Sequence, residues 1–148
     1  MSDIEEKLKN LGLKLGEPKP PVGNYIGCKA VGNLLYASGR VSDLKGKVGI
    51  NVSFEQARKA AHDTVLLILA IIKNEIKDLD LLKGVAKVQG FINCDESFID
   101  LPKVLDGASD LLIGVFGENG RHARTATGVA QLPFGATIQL DIIFELKH

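Results

Sequence analysis

The 148-residue chain reads as an α+β domain, a mixed β-sheet with two long helices packed on one face. Three observations predict that class. The last segment alternates strictly, with Ile138, Leu140, Ile142, Phe144 and Leu146 on one face and Thr137, Gln139, Asp141, Ile143 and Glu145 on the other. Two interior segments carry apolar residues at helical spacing. Short alternating stretches are interleaved with them, which fits helices layered on a sheet.

The elements follow in order. Ser2 with Glu5 forms a capping-box pattern, and Ile4, Leu8 and Leu11 fall at helical spacing before Gly12, which predicts a short N-terminal helix. Leu13 to Val22 is a proline-bearing connector. Tyr25 to Val31 alternates, Gly32-Asn33 is a turn and Leu34 to Ser38 resumes, which predicts a β-hairpin. Residues 40–50 form a turn or flap between strands. Ser53 and Gln56 open the strongest helix, which runs into Val65–Ile72, apolar on all sides and so covered by a sheet on one side and by more protein on the other.

Residues 79–83 read as a loop and Val85 to Asn93 as a strand. Pro102 starts a helix with the stripe Val104, Leu105, Ala108, Leu111, Leu112, Val115 and Phe116, closed by Gly117. Arg124 to Leu132 is a shorter strand, joined to the last one by Pro133-Phe134-Gly135. The spacing of Gly114, Gly117 and Gly120 resembles a nucleotide loop. It follows a helix instead of a strand, so it is capping and turn chemistry.

Composition bounds the function. Residues 1–148 fit one domain, with 1–21 as N-terminal helix and connector, and 45% hydrophobic content supports a core without disulfides or metals. Eighteen acidic residues balance eighteen basic ones, so no global field draws the chain to nucleic acid or an anionic membrane. Cys28 and Cys94 lack a CxxC pattern or paired histidines and read as reduced thiols of a cytoplasmic protein, with no metal site and no cofactor motif. The start carries no signal-peptide pattern, and the run from Val65 to Ile72 is far short of a membrane span.

Arginine is spent sparingly. Of eighteen basic residues only Arg40, Arg58, Arg121 and Arg124 are arginine, and two of them fall within Gly120-Arg121-His122-Ala123-Arg124-Thr125-Ala126. A planar guanidinium holds a carboxylate or phosphate through two parallel hydrogen bonds, which lysine cannot do. The competing reading is a loop pinned by arginine contacts to carbonyls or surface acids. His62 reads as a satisfied surface or boundary residue, and His122, flanked by arginines in its loop, as a solvated or hydrogen-bonded residue. Helices on only one side leave the second sheet face, with Val31, Phe91 and Ile143, to water or to another copy of the chain, which predicts a homo-oligomer with ligand sites in its clefts.

The blocks Asn24-Tyr25, Gly32-Asn33-Leu34-Leu35-Tyr36-Ala37-Ser38-Gly39, Gly107-Ala108-Ser109-Asp110-Leu111-Leu112, Gly117-Glu118-Asn119-Gly120-Arg121-His122-Ala123-Arg124 and Val129-Ala130-Gln131-Leu132-Pro133 resemble the YjgF/Rid family. That family also carries the names endoribonuclease L-PSP and translation initiation inhibitor. The resemblance runs from about Glu5 onward, and the Gly-Arg-His-Ala-Arg loop is similar to the branch with an N-terminal helical extension. It implies a chorismate-mutase-like α+β fold, a homotrimer, three ligand sites at subunit clefts, and hydrolysis of reactive enamines or imines to a keto acid and ammonia.

Position by position, the resemblance places the family's carboxylate-clamping arginine at Arg124, its pocket tyrosine at Tyr25, and its ligand-approaching strand end at Ser38-Gly39. Thr125 follows the arginine in the pocket, and Arg121 serves the rim or a subunit contact. Two positions depart from the pattern. Ala126 stands where the deaminases have cysteine, and Gln139 where they have the glutamate that holds the hydrolytic water. A neutral amide positions water but cannot take its proton, and general-base assistance contributes typically ~10²–10⁴ in rate.

Three readings result. Imine or enamine deamination, with Arg124 and Gln139 at the reacting centre, ranks first on the resemblance. A non-catalytic protein binding small carboxylates ranks second because of Gln139. Ribonuclease action ranks last, since it needs an acid and a base at phosphate and neither the net charge nor an aromatic stacking platform supports it.

Overall fold

The computed structural model describes Met1–His148. Helix α1 spans Asp3–Asn10, followed by β1 (Cys28–Val31), β2 (Leu34–Ala37), β3 (Arg40–Val41), α2 (Phe54–Ile76), β4 (Leu82–Asn93), α3 (Leu101–Phe116), β5 (Ala123–Val129) and β6 (Ile138–Leu146). The sheet runs β1-β2-β6-β4-β5, with β3 also paired to β6. All pairings are antiparallel except β4 with β5, which are parallel. A parallel pair needs a long crossover, and α3 supplies it. The fold is thus the mixed α+β arrangement with two long helices on one sheet face.

Alternation decides the two faces. Ile138, Leu140, Ile142 and Phe144 of β6 and Val85, Val88 and Ile92 of β4 are buried under the helices. They meet Ala61, Val65, Ile68, Leu69 and Ile72 of α2 and Leu105, Ala108 and Leu112 of α3 in one core. Burying each such Leu, Ile or Val side chain contributes about 1.5–3 kcal/mol before entropy is subtracted. The opposite face holds Tyr36, Lys87, Gln89, Phe91, Gln139, Asp141 and Ile143, all exposed or partly exposed.

The two helices pack closely because Gly107 has no side chain. A Cβ there would lie 2.1 Å from the Arg58 backbone oxygen of α2. Helix α2 opens with the full capping box, Ser53 Oγ accepting from the Gln56 amide and the Gln56 side chain accepting from the Ser53 amide.

Five sequence-based expectations need correction, one of them being the strand read as Arg124 to Leu132, which runs from Ala123 and ends at Val129. The first strand begins at Cys28, not Tyr25; the chain before it is irregular and is tied to the β2 end by Ser38 N–H donating to Gly27 O at 2.9 Å. The 40–50 segment contains β3, where the chain rejoins β6 after Ser38-Gly39. Strand β4 starts at Leu82, after a 3₁₀ turn over Leu79–Leu81, and accommodates its extra length through register shifts at Leu82/Gly84 and Val85/Lys87. The α1 capping box is only half formed. Ser2 Oγ accepts from the Glu5 amide, while the Glu5 carboxylate takes Lys73 Nζ at 2.9 Å, and that ion pair holds its pKa down. Instead, Asp80 caps α1 from outside, accepting from the Asp3 and Ile4 amides at 2.8 and 3.1 Å.

Candidate active site

Strand β5 is the sheet edge beside α3, and Arg124 points from it toward that helix. Its Nη1 donates to Asp106 Oδ1 at 2.8 Å and to Ser109 Oγ at 3.0 Å. Nε and Nη2 have no acceptor in the chain. A guanidinium presents two forked edges, so the Nε–Nη2 edge remains available to an anion. Arg124 borders a hollow of about 190 Å³ with Ser109, Ile113, Arg121 and His122. Arg121 is tied only to Glu118, Nε to Oε2 at 3.1 Å, an exposed pair.

Ala126 lies two residues along β5, on the same side, against the core. Farther along, Gly128 and Val129 border a larger groove of about 620 Å³ with Lys47, Cys94, Phe98 and Leu101. Lys47 Nζ bonds Asn93 Oδ1 and Ala130 O, which fixes the 40–50 segment beside this groove.

Gln139 occupies the other sheet face. It pairs with Val41 on one side and Phe91 on the other, and Asp141, two residues on, pairs with Gln89, which in turn pairs with Thr125. Thr125 therefore belongs with Gln139 and Asp141, away from Arg124. Gly39 approaches both polar residues: a Cβ on it would lie 2.4 Å from Asp141 Oδ1 and 3.2 Å from Gln139 Nε2. Asp141 Oδ1 is buried without a hydrogen-bond partner. Burial pushes the Asp141 carboxyl above its usual range, and the Gln139 amide pulls it part of the way back.

Ser38 Oγ donates to Ile26 O at 2.5 Å, so the 25–27 segment is anchored at the same strand end. Tyr25 is partly exposed there, its hydroxyl accepting from the Val22 amide at 3.4 Å.

The sequence-derived residues thus form two groups within one chain. Arg124, Arg121 and Ala126 lie on the α3 side of β5, while Gln139, Gly39 and Thr125 lie on the open face, with Ser38 and Tyr25 near its β2 end. Sequence reasoning missed Asp106 and Ser109 as partners of Arg124. The available signal was a polar pair three residues apart, Ser109 at the edge of the apolar α3 stripe and Asp106 just outside it.

Residues 5–146 match the family described as YjgF/chorismate mutase-like, putative endoribonuclease. The chain is 36% identical to Protein TCP17 of Trypanosoma cruzi, covering 98% of this chain and 95% of that one. It is similar to the solved structure of protein Atu1372 from Agrobacterium tumefaciens, a protein of unknown function, at 38% identity and a TM-score of 0.89, covering 98% and 93% of the two chains. It also resembles a Shewanella oneidensis protein described as a putative endoribonuclease, at 32% identity and a TM-score of 0.91, covering 97% and 99%. Matching nearly end to end in both sequence and fold, the chain belongs to the YjgF/chorismate mutase-like family.

Proposed function

We propose that this protein hydrolyses small carboxylate-bearing imines or enamines to keto acids and ammonia, in clefts between the subunits of a cytoplasmic homotrimer. The observation that carries this reading is the unengaged Nε–Nη2 edge of Arg124 beside a small hollow, with Nη1 already fixed by Asp106 and Ser109. That edge takes the substrate carboxylate.

The open-face group supplies the water chemistry. Gln139 orients a water, and Asp141 beside it is a carboxylate that burial biases toward holding a proton, the property a base near neutral pH needs. An enamine first takes a proton from solvent at its β-carbon to become the iminium. Water then adds to the iminium carbon and passes one proton to the carboxylate, and that proton moves to the amino group. The C–N bond breaks as the hydroxyl becomes the carbonyl, releasing ammonia and giving the hydroxyl proton to the carboxylate. One chain holds the two groups on opposite sheet faces, so a second copy completes the site. The unpaired β5 edge and the exposed Val31 and Tyr36 on the open face suit such packing.

The test is to generate 2-aminoacrylate in the presence of the protein and follow pyruvate and ammonia release. Acceleration over buffer supports the reading. Gln139 favours a second reading, a non-catalytic carboxylate-binding protein; keto-acid binding without acceleration selects it. An RNA digest in parallel checks the nuclease activity that the Shewanella relative's name suggests.

A further inference from the structure

The partners of Arg124 are themselves held by a directed hydrogen-bond chain. Ser109 Oγ lies 2.9 Å from His122 Nε2, and His122 Nδ1 lies 2.6 Å from Gly120 O. A carbonyl only accepts, so Nδ1 carries a proton, and in the neutral imidazole Nε2 is then the acceptor. The single proton of Ser109 goes to Nε2, which leaves its oxygen lone pairs to receive Arg124 Nη1. Every donor therefore has one assigned acceptor, running from Arg124 through Ser109 and His122 to Gly120.

The far end of that chain is rigid. A Cβ on Gly120 would lie 2.5 Å from Leu112 O, so its backbone is pressed against α3, and Ser109, on α3, is buried. Asp106, the other partner of Nη1, is roughly half exposed and alone gives a pair that tolerates rotation.

We propose that Ser109 and His122 are positioning residues for Arg124, which hold the guanidinium plane so that its Nε–Nη2 edge is presented to an anionic ligand. The inference rests on the reading of Arg124 as the carboxylate holder. It makes the pair Ser109 and His122 a determinant of affinity through the guanidinium they hold.

A double-mutant cycle with 2-oxobutanoate as the probe tests it. Ser109→Ala should weaken binding about five- to tenfold in the otherwise unchanged protein and less than twofold in an Arg124→Ala background. Equal effects in both backgrounds, or none in either, overturn the proposal. His122→Gln keeps an acceptor near the Nε2 position and should retain more affinity than His122→Leu; the reverse order also contradicts it.

A ligand-free readout separates this inference from the proposed activity. The Arg124 Nη nuclei should give separate, slowly exchanging resonances in the wild type that merge in Ser109→Ala. Should the wild type bind no keto acid, the functional reading falls, and the resonances still decide the positioning role: merging supports it, and unchanged line shapes overturn it.

Discussion

Gly39 and Asp141 touch across the open sheet face so closely that a single Cβ on Gly39 would stand 2.4 Å from the Asp141 carboxylate oxygen. The absence of a side chain at 39 is what lets a half-buried carboxylate, its Oδ1 enclosed, sit beside Gln139. Gly39→Ala should displace the Asp141 carboxylate, the free end of a side chain that can rotate aside, so the stability cost should be small, about 1 kcal/mol or less, while most of the 2-aminoacrylate turnover is lost. Chemical denaturation and a turnover assay on the same sample check both effects; a variant with unchanged stability and rate contradicts the contact.

Asp141 predicts a pH dependence. Its folded-state pKa is raised by burial, so the fold prefers the protonated acid, and stability attributable to this group is present at low pH and lost as pH rises through the folded pKa. Asp141→Asn removes that loss. Relative to wild type, the variant should gain stability at neutral pH, and the gain should disappear as pH falls below the ordinary carboxylate range. Thermal unfolding across pH 3–8 measures it, and a difference that grows toward acid has the wrong sign.

The carboxylate should also be transferable along the strand. Asp141→Asn should lower kcat for 2-aminoacrylate by roughly 10²-fold or more, the value of general-base assistance. Gln139→Glu, nearly isosteric on the same face, should raise the wild-type rate and restore activity in the Asp141→Asn background. If the wild type is fast and neither change alters its rate, proton transfer does not pass through this face.

Gly107 sets the approach of the two long helices. Gly107→Ala places a methyl group 2.1 Å from a backbone oxygen of α2, which cannot rotate away, so the helices must separate. The expected loss is about 1–3 kcal/mol, read as a lower midpoint in urea with an unchanged slope. A neutral substitution contradicts the packing described for α2 and α3.

Much of this was legible in the chain itself. The period-two pattern from Ile138 to Leu146 predicted the buried face of β6, and Ser53 with Gln56 predicted the start of α2, because both signals are local and periodic. Arg124 was singled out by the scarcity of arginine. What the sequence hid is non-local: Asp106 and Ser109 lie 18 and 15 positions before Arg124 and meet it only because α3 crosses back over the parallel β4–β5 pair. Asp80 capping α1 from 77 positions away is hidden for the same reason. That Arg124 and Gln139 occupy opposite faces of the sheet also depends on strand order, which alternation within single strands does not specify.

The central claim is that Arg124 holds the ligand carboxylate through a fork, and Arg124→Lys tests it most directly, since the charge stays and the fork goes. Titration of 2-oxobutanoate into wild type and variant should show a loss of about 1.5–3 kcal/mol, roughly 10- to 150-fold in Kd, the range for hydrogen bonds to charged groups. The variant should keep the wild-type thermal midpoint to within a few degrees. Equal Kd values for the two proteins would contradict the clamp and the functional reading built on it.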